Sequence, residues 1–159
     1  MKKLTGSFRF NQWDPWLLIA QIVSLQTILY TTLGVVLTVL GGLVGDTRSL
    51  DHIFEYHEIH VRDYSGKLVI AAFVLNSLIG SLVLWKIVER TKLCLDFSWT
   101  WHFVHLIICW FYNGSFPTTF SWWALNVACL ALMCVCGEFL CLRSELQAIP
   151  LSLGPKTDL

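Results

Sequence analysis

The chain has 159 residues and no net charge, because eleven lysines and arginines balance eleven aspartates and glutamates. Hydrophobic residues make up 55% of it and charged residues only 14%, and the mean hydropathy is +0.62. Disordered chains are excluded, since they are polar and highly charged. A soluble domain of this size would leave too much apolar surface in water, and the balanced charge offers nothing to attract nucleic acid. We therefore expect a single membrane domain over residues 1–159, with the lipid bilayer as its surroundings.

Charged residues are missing from three stretches, which run from Pro15 to Gly45, from Leu68 to Trp85 and from Phe97 to Gly137. A bilayer core about 30 Å thick requires about 20 helical residues. The third stretch is long enough for two spans, and the turn residues at 112–117 should divide it. Lipid leaves only helices or a closed barrel, and no alternating strands occur. The sequence therefore predicts an all-α bundle of four transmembrane helices, at about 16–40, 68–87, 95–112 and 120–142.

The basic residues near the predicted span ends indicate the orientation, because they collect on the cytosolic side of a membrane. Eight lie on one side and three on the other: Lys2, Lys3, Arg9, Lys86, Arg90, Lys92, Arg143 and Lys156, against Arg48, Arg62 and Lys67. We predict that both termini are cytosolic. This orientation gives a lumenal loop at 45–67, a cytosolic loop at 88–94 and a cytosolic tail at 143–159.

Polar side chains inside the predicted spans are costly in lipid and therefore suggest a role. At 1.5 Å per residue, His102 lies roughly 9 Å and Glu138 roughly 7.5 Å from the same membrane edge. We predict that Glu138 pairs with His102 or His105 and locks the last two spans together. A proton path is the alternative, but it needs polar groups across the whole membrane, and Asn126 alone lies lumenal to Glu138 in its span. For the second span, Ser77, Gly80 and Ser81 predict a close-packing face.

The predicted lumenal loop contains His52, His57 and His60 together with several carboxylates. Two of these histidines on one helical turn would be able to bind zinc. The spacing of a zinc hydrolase is absent, however, as are a nucleophile elbow and a phosphate-binding loop. We therefore favour a solvated loop, and we assign no catalytic, cofactor-binding or metal-binding residue.

Two kinds of covalent modification are suggested by the sequence. Cys94 and Cys141 lie at cytosolic helix ends, where palmitoylation is conceivable, although a buried cysteine more often behaves as a small apolar residue. Asn113 begins a formal glycosylation motif on the lumenal side. Its loop is so short that the asparagine should lie among the lipid headgroups, and we predict that it is unmodified.

Several motifs along the chain form a familiar pattern. They are Trp13-Asp14-Pro15, Gln21-Ile22-Val23, Gln26-Thr27, Cys94-Leu95-Asp96-Phe97, His102-Phe103-Val104-His105-Leu106, Cys109-Trp110-Phe111-Tyr112, Phe116-Pro117, Trp122-Trp123, Gly137-Glu138-Phe139-Leu140-Cys141, Arg143, Glu145-Leu146 and Ile149-Pro150. In these motifs the chain resembles the Sys-one family of Golgi membrane proteins, nearly from end to end. The match is weakest over residues 1–12 and 45–67.

The resemblance implies a four-span protein of the trans-Golgi network with no enzymatic activity, no cofactor and no small-molecule substrate. Members of the family act as the membrane receptor for an Arf-like (Arf-related) small GTPase whose N-terminus is acetylated. That GTPase then recruits a second Arf-like GTPase and golgin tethers, and so supports endosome-to-Golgi transport. These properties are expectations that follow from the resemblance.

The motifs shared with the family cluster at the cytosolic span ends, and this placement suggests where a GTPase would dock. The candidate docking residues are Trp13, Asp14, Asp96, Arg143 and Glu145. A small polytopic transporter or metal-handling protein is the alternative function, and it would use the lumenal and intramembrane histidines. Substituting His52, His57 and His60 would separate the two, because a receptor should tolerate these changes.

Overall fold

The computed structural model describes residues 15–45, 51–55 and 64–147, and every regular element in them is helical. The α-helices are α1 (Pro15–Val44), α2 (Asp51–Phe54), α3 (Tyr64–Ile87), α4 (Cys94–Asn113) and α5 (Phe120–Gln147), with a 3-10 turn at Thr91–Leu93. Each of the four predicted spans lies inside one of the four long helices.

Three of the long helices are long and apolar enough to cross a membrane: Pro15–Leu43, Tyr64–Ile87 and Phe120–Gln147. The helix α4 has 20 residues, which is about 30 Å at 1.5 Å per residue. It contains Asp96, His102 and His105, and it is not among the helices that qualify as spans by length and composition. By length and composition, the fold is therefore an all-α bundle with three candidate spans and a fourth helix of membrane length.

The helix ends follow local backbone chemistry. Pro15 stands at the start of α1, where a missing backbone N–H has no cost. After α4, Gly114 adopts a left-handed conformation with φ of 64°, which a glycine reaches without steric penalty. The helix α5 runs to Gln147, beyond the predicted span that ends at 142. A helix continues outside a bilayer wherever its residues favour it, so a charge-free stretch predicts a span but not the end of the helix.

The four long helices form a closed arrangement in the order α1, α3, α5, α4, because α3 packs on both α1 and α5, and α4 packs on both α5 and α1. One end of the bundle holds the start of α1 and α4 and the end of α3 and α5. We call it the charged end, defined by its exposed residues Lys86, Glu89, Arg90, Lys92, Asp96, Arg143 and Glu145. The opposite end contains the connection between α4 and α5 and is called the turn end.

Small residues on α3 allow it to approach α5 closely. The sequence predicted a close-packing face at Ser77, Gly80 and Ser81, and all three residues are buried. A Cβ atom added to Gly80 would lie 3.1 Å from the Met133 sulfur. On α5, a Cβ atom at Gly137 would lie 3.1 Å from Leu84 Cδ1. Helices in lipid associate by such close packing, because no hydrophobic force drives them together there.

The short helix α2 lies within the segment that the sequence predicts to be a lumenal loop, and it packs into the turn end. The Phe54 ring centroid is 5.9 Å from that of Tyr30 and 5.4 Å from that of Tyr112. Asn113 Nδ2 donates a hydrogen bond of 2.8 Å to the Phe54 carbonyl. Phe54 is half-buried, with the rings of Tyr30 and Tyr112 as its neighbours.

Candidate functional site

The charged end is the candidate site, and the structure places three of the five predicted docking residues there. Asp96 lies in the first turn of α4, and Arg143 and Glu145 lie near the end of α5. All three are exposed. Trp13 and Asp14 lie outside the described residues, immediately before α1 begins.

Glu145 has a specific structural partner. One carboxylate oxygen accepts a 3.0 Å hydrogen bond from the backbone N–H of Thr91, and the other accepts a 3.0 Å bond from the Thr91 hydroxyl. These two bonds tie the connection between α3 and α4 to the end of α5. The same connection contains Glu89 with φ of 54°, a left-handed conformation that is uncommon for a residue other than glycine. The connection is therefore held in one defined shape.

Two further contacts join the helix ends at the charged end. Gln21 Nε2 donates a 2.9 Å hydrogen bond to the Ile87 carbonyl, which links α1 to the end of α3. The Sγ atoms of Cys94 and Cys141 lie 3.5 Å apart, and both side chains are fully buried. Because neither thiol reaches the surface, palmitoylation of either cysteine would require this end of the bundle to open first.

A second polar centre lies deep in the bundle, around His105, which is 1% exposed. Its Nδ1 atom is 3.2 Å from the Tyr30 hydroxyl and its Nε2 atom is 3.5 Å from the Cys109 sulfur. A neutral imidazole has one donor and one acceptor nitrogen, so it accommodates both neighbours. The ring is nearly parallel to those of Trp101 and Trp122, with centroids 6.1 Å and 6.3 Å away. This centre links α1 to α4.

The structure does not bring the predicted polar pair together. His102 Nδ1 donates a 2.9 Å hydrogen bond to the Ser98 carbonyl of its own helix. Glu138 accepts a 3.5 Å hydrogen bond from the Cys134 thiol, also within one helix. His105 bonds to Tyr30 instead of Glu138. The prediction placed these groups at one depth along the helix axis, whereas the rotation of each helix about its axis determines which side chains meet.

Tyr30, Trp101 and Trp122 are the residues of this centre that sequence reasoning missed. A tyrosine in the middle of a long apolar helix was the available signal, because its hydroxyl requires a partner in lipid. Two other interior groups, the Gln26 amide and the Ser98 hydroxyl, are buried without a hydrogen-bond partner among the described residues.

The histidines on which a metal-handling function depends are only partly described. His52 lies in α2, but its side chain is outside the described part, and so are His57 and His60 as a whole. Among the described residues, no three His, Cys, Asp or Glu side chains are placed to hold a metal ion.

Comparison with known proteins gives the family of the chain. The family model described as "Integral membrane protein S linking to the trans Golgi network" matches residues 8–151. The chain belongs to the SYS1 family. The resemblance read from its motifs is thereby confirmed. As a member of this family it is a multi-pass integral membrane protein of the trans-Golgi network. The SYS1 family is a membrane trafficking family and is not known as a family of enzymes.

Individual SYS1 relatives agree with the family match. A "Protein SYS1 homolog" of Nematostella vectensis is 48% identical over 95% of this chain and 96% of its own length. A "Protein SYS1 homolog" of Dictyostelium discoideum is 44% identical over 95% of this chain and 65% of its own length. "Protein SYS1" of Saccharomyces cerevisiae is 30% identical over 88% of this chain and 69% of its own length. No solved structure matches the chain significantly.

Proposed function

We propose that this protein is a receptor in the trans-Golgi membrane for an Arf-related small GTPase with an acetylated N-terminus. In this function it supports endosome-to-Golgi transport and Golgi vesicle traffic. The proposal includes four membrane spans, with α4 as the third, and both termini in the cytosol. In this orientation the charged end faces the cytosol, where a GTPase is available.

The observation that carries the proposal is the fixed shape of the charged end. Glu145 holds Thr91 through two hydrogen bonds, so the connection between α3 and α4 lies against α5 before any partner arrives. A surface that is already ordered loses less conformational entropy on binding. Asp96 and Arg143 are exposed at the same end and supply one acidic and one basic contact to a partner.

The mechanism combines two weak attachments. The uncharged, acetylated N-terminal helix of the GTPase would lie in the cytosolic interface of the bilayer with its apolar face in the lipid. One such helix anchors weakly and does not distinguish between membranes. A second contact with the charged end makes the two attachments act together and selects the membrane that contains the receptor. Trp13 and Asp14, which precede α1, remain candidates for this contact.

The test is capture of the GTPase by the full-length protein in detergent, with Asp96→Asn and Arg143→Gln separately and combined. The matched control is Lys67→Gln, because Lys67 is exposed near the start of α3, at the opposite end. We expect weaker capture of the GTPase by Asp96→Asn, by Arg143→Gln and by the combined variant. The control Lys67→Gln should capture it normally. Equal capture by all variants, each with the thermal unfolding profile of the wild type, would contradict the proposed surface.

Glu145 serves this surface as a positioning residue. Glu145→Ala should increase the rate of amide hydrogen exchange at Thr91 as well as weaken capture, because the Thr91 N–H loses its acceptor. The control is Ser144→Ala, the exposed residue next to it. Weaker capture with unchanged exchange at Thr91 would mean that Glu145 contacts the GTPase directly.

A further inference from the structure

Two thiols face each other at the charged end, where α4 begins and α5 ends. The Sγ atoms of Cys94 and Cys141 are 3.5 Å apart, and both side chains are buried. Gly137 lies beside this pair, because a Cβ atom there would be in ordinary van der Waals contact with the Cys94 sulfur, at 3.8 Å. Gly137 and Cys141 are four residues apart and therefore share one face of α5. The first turn of α4 lies against that face.

The other cysteines have different neighbours. The Cys109 sulfur contacts His105 Nε2, and the Cys134 thiol donates to Glu138. All six cysteines lie in the described residues and all six are free thiols. Among these six, Cys94 and Cys141 form the thiol–thiol hydrogen bond. A disulfide requires a sulfur–sulfur distance of about 2.05 Å. This pair is already at van der Waals contact, 3.5 Å apart, so bond formation requires the sulfurs to approach by about 1.5 Å.

We propose that Cys94 and Cys141 form a reversible disulfide by exchange with glutathione disulfide. The thiolate of Cys94 attacks one glutathione sulfur, and a mixed disulfide forms while one glutathione leaves with the electron pair of the broken bond. The Cys141 thiolate then attacks the Cys94 sulfur of the mixed disulfide, and the second glutathione leaves. The two protein thiols lose two protons and two electrons, and one glutathione disulfide becomes two glutathione molecules.

Access to Cys94 comes from the connection that precedes it. The Cys94 thiol donates a 3.5 Å hydrogen bond to the Arg90 carbonyl, and the turn at Thr91–Leu93 joins these two residues. That turn is tied to α5 by Glu145, whose side chain is exposed. The ordered turn is the predominant state, and transient breaking of its exposed hydrogen bonds gives a minor open state. Opening of this turn uncovers Cys94 first, which makes Cys94 the attacking thiol and Cys141 the resolving thiol.

The disulfide would fasten the start of α4 to the end of α5 covalently. In the proposed orientation this pair faces the cytosol, where thiols are kept reduced. The dithiol is then the resting form, and the disulfide accumulates when the proportion of glutathione disulfide rises. The inference rests on the two sulfurs and their surroundings, and it holds whether or not a GTPase binds at the charged end.

The test uses the full-length wild-type protein in detergent. Its result therefore does not depend on whether a substituted protein folds. The protein is incubated with glutathione and glutathione disulfide in increasing ratio, quenched with N-ethylmaleimide, digested and analysed by mass spectrometry. We expect a peptide cross-linked between Cys94 and Cys141 as the main disulfide, reversed by excess glutathione. Protein unfolded before oxidation provides the reference, because its six cysteines pair without this preference.

Substitution then assigns the roles of the two thiols. Cys141→Ser should accumulate a glutathione adduct on Cys94, and Cys94→Ser should abolish the cross-link, whereas Cys136→Ser should leave it intact. The proposal is overturned if the folded wild type keeps both thiols free at every ratio. The proposal is also overturned if the wild-type protein retains a glutathione adduct on Cys94 without the cross-link. Disulfides between other cysteine pairs that form as readily would overturn it too.

Discussion

His105 illustrates how a polar side chain is accommodated at the centre of a membrane bundle. Both ring nitrogens have a neighbour, and aromatic rings from three other helices surround them: Tyr30 of α1, Phe73 of α3 and Trp122 of α5. A buried imidazole without such partners would be costly in lipid. The surroundings of His105 therefore support a structural role that holds the four helices in register.

Removal of the Tyr30 hydroxyl tests this role. In Tyr30→Phe the ring still packs against Trp101, with a centroid distance of 4.5 Å in the wild type, but His105 Nδ1 loses its partner. We expect the free energy of unfolding to fall by about 1 to 2 kcal/mol. Thermal unfolding of the purified protein in detergent measures this change. The control is Tyr64→Phe, since Tyr64 is 69% exposed. An equal effect of both variants would contradict the role given to His105.

Asn113 is a second residue whose side chain is already engaged. Its Nδ2 donates to the carbonyls of Phe54 and Cys109, at 2.8 Å and 2.7 Å. Glycosylation replaces one of the two hydrogens on this nitrogen, so at least one of the two bonds would be lost. We predict that Asn113 is unmodified in cells. A mobility shift on deglycosylation that is present in the wild type and absent in Asn113→Gln would contradict the prediction.

Among the elements, the contact of α3 with α5 depends most directly on side-chain size. A Cβ atom at Gly80 would meet Met133 and Leu29 at 3.1 Å to 3.2 Å, whereas one at Gly34 would meet nothing within 4 Å. Gly80→Val should therefore force α3 away from its neighbours and lower the free energy of unfolding by about 1 to 3 kcal/mol. Gly34→Val is the matched control. Similar unfolding midpoints for the two variants would show that close packing at Gly80 is unimportant.

The long helices were predictable from the sequence, because charged groups are excluded from lipid and a long stretch without them predicts a long apolar helix. The break between α4 and α5 was predictable too, since Gly114 permits the left-handed conformation that ends α4. The packing of α2 into the bundle was not predictable. Its four residues carry no periodic pattern, and the position of Phe54 depends on rings from α1 and α4.

The site was predictable only as a region. The cluster of charge at the span ends indicated the charged end, but the partners of Glu145 and His102 depend on how each helix is rotated about its axis. A sequence fixes depth along a helix at 1.5 Å per residue. It does not specify the rotation, which results from packing against the neighbouring helices. For this reason the predicted pairing of Glu138 with a histidine has no counterpart among the contacts of the described residues.

For the whole molecule, the central claim is that the charged end faces the cytosol and captures a GTPase there. The distribution of basic residues supports this orientation, and membership of the SYS1 family supports the trans-Golgi location. If the claim holds, attachment of the GTPase depends both on the N-terminus of the GTPase and on the charged end of this protein. An acetyl group removes a positive charge, and an uncharged helix is the form suited to the interface beside the receptor.

The most direct measurement is capture of the Arf-related GTPase by the full-length wild-type protein in detergent. Acetylated and unacetylated GTPase are compared, each loaded with GDP or with a GTP analogue. The account predicts that capture depends on acetylation, with the acetylated form retained and the unacetylated form lost in the wash. Failure of the folded protein to capture the GTPase in any of the four states would contradict it.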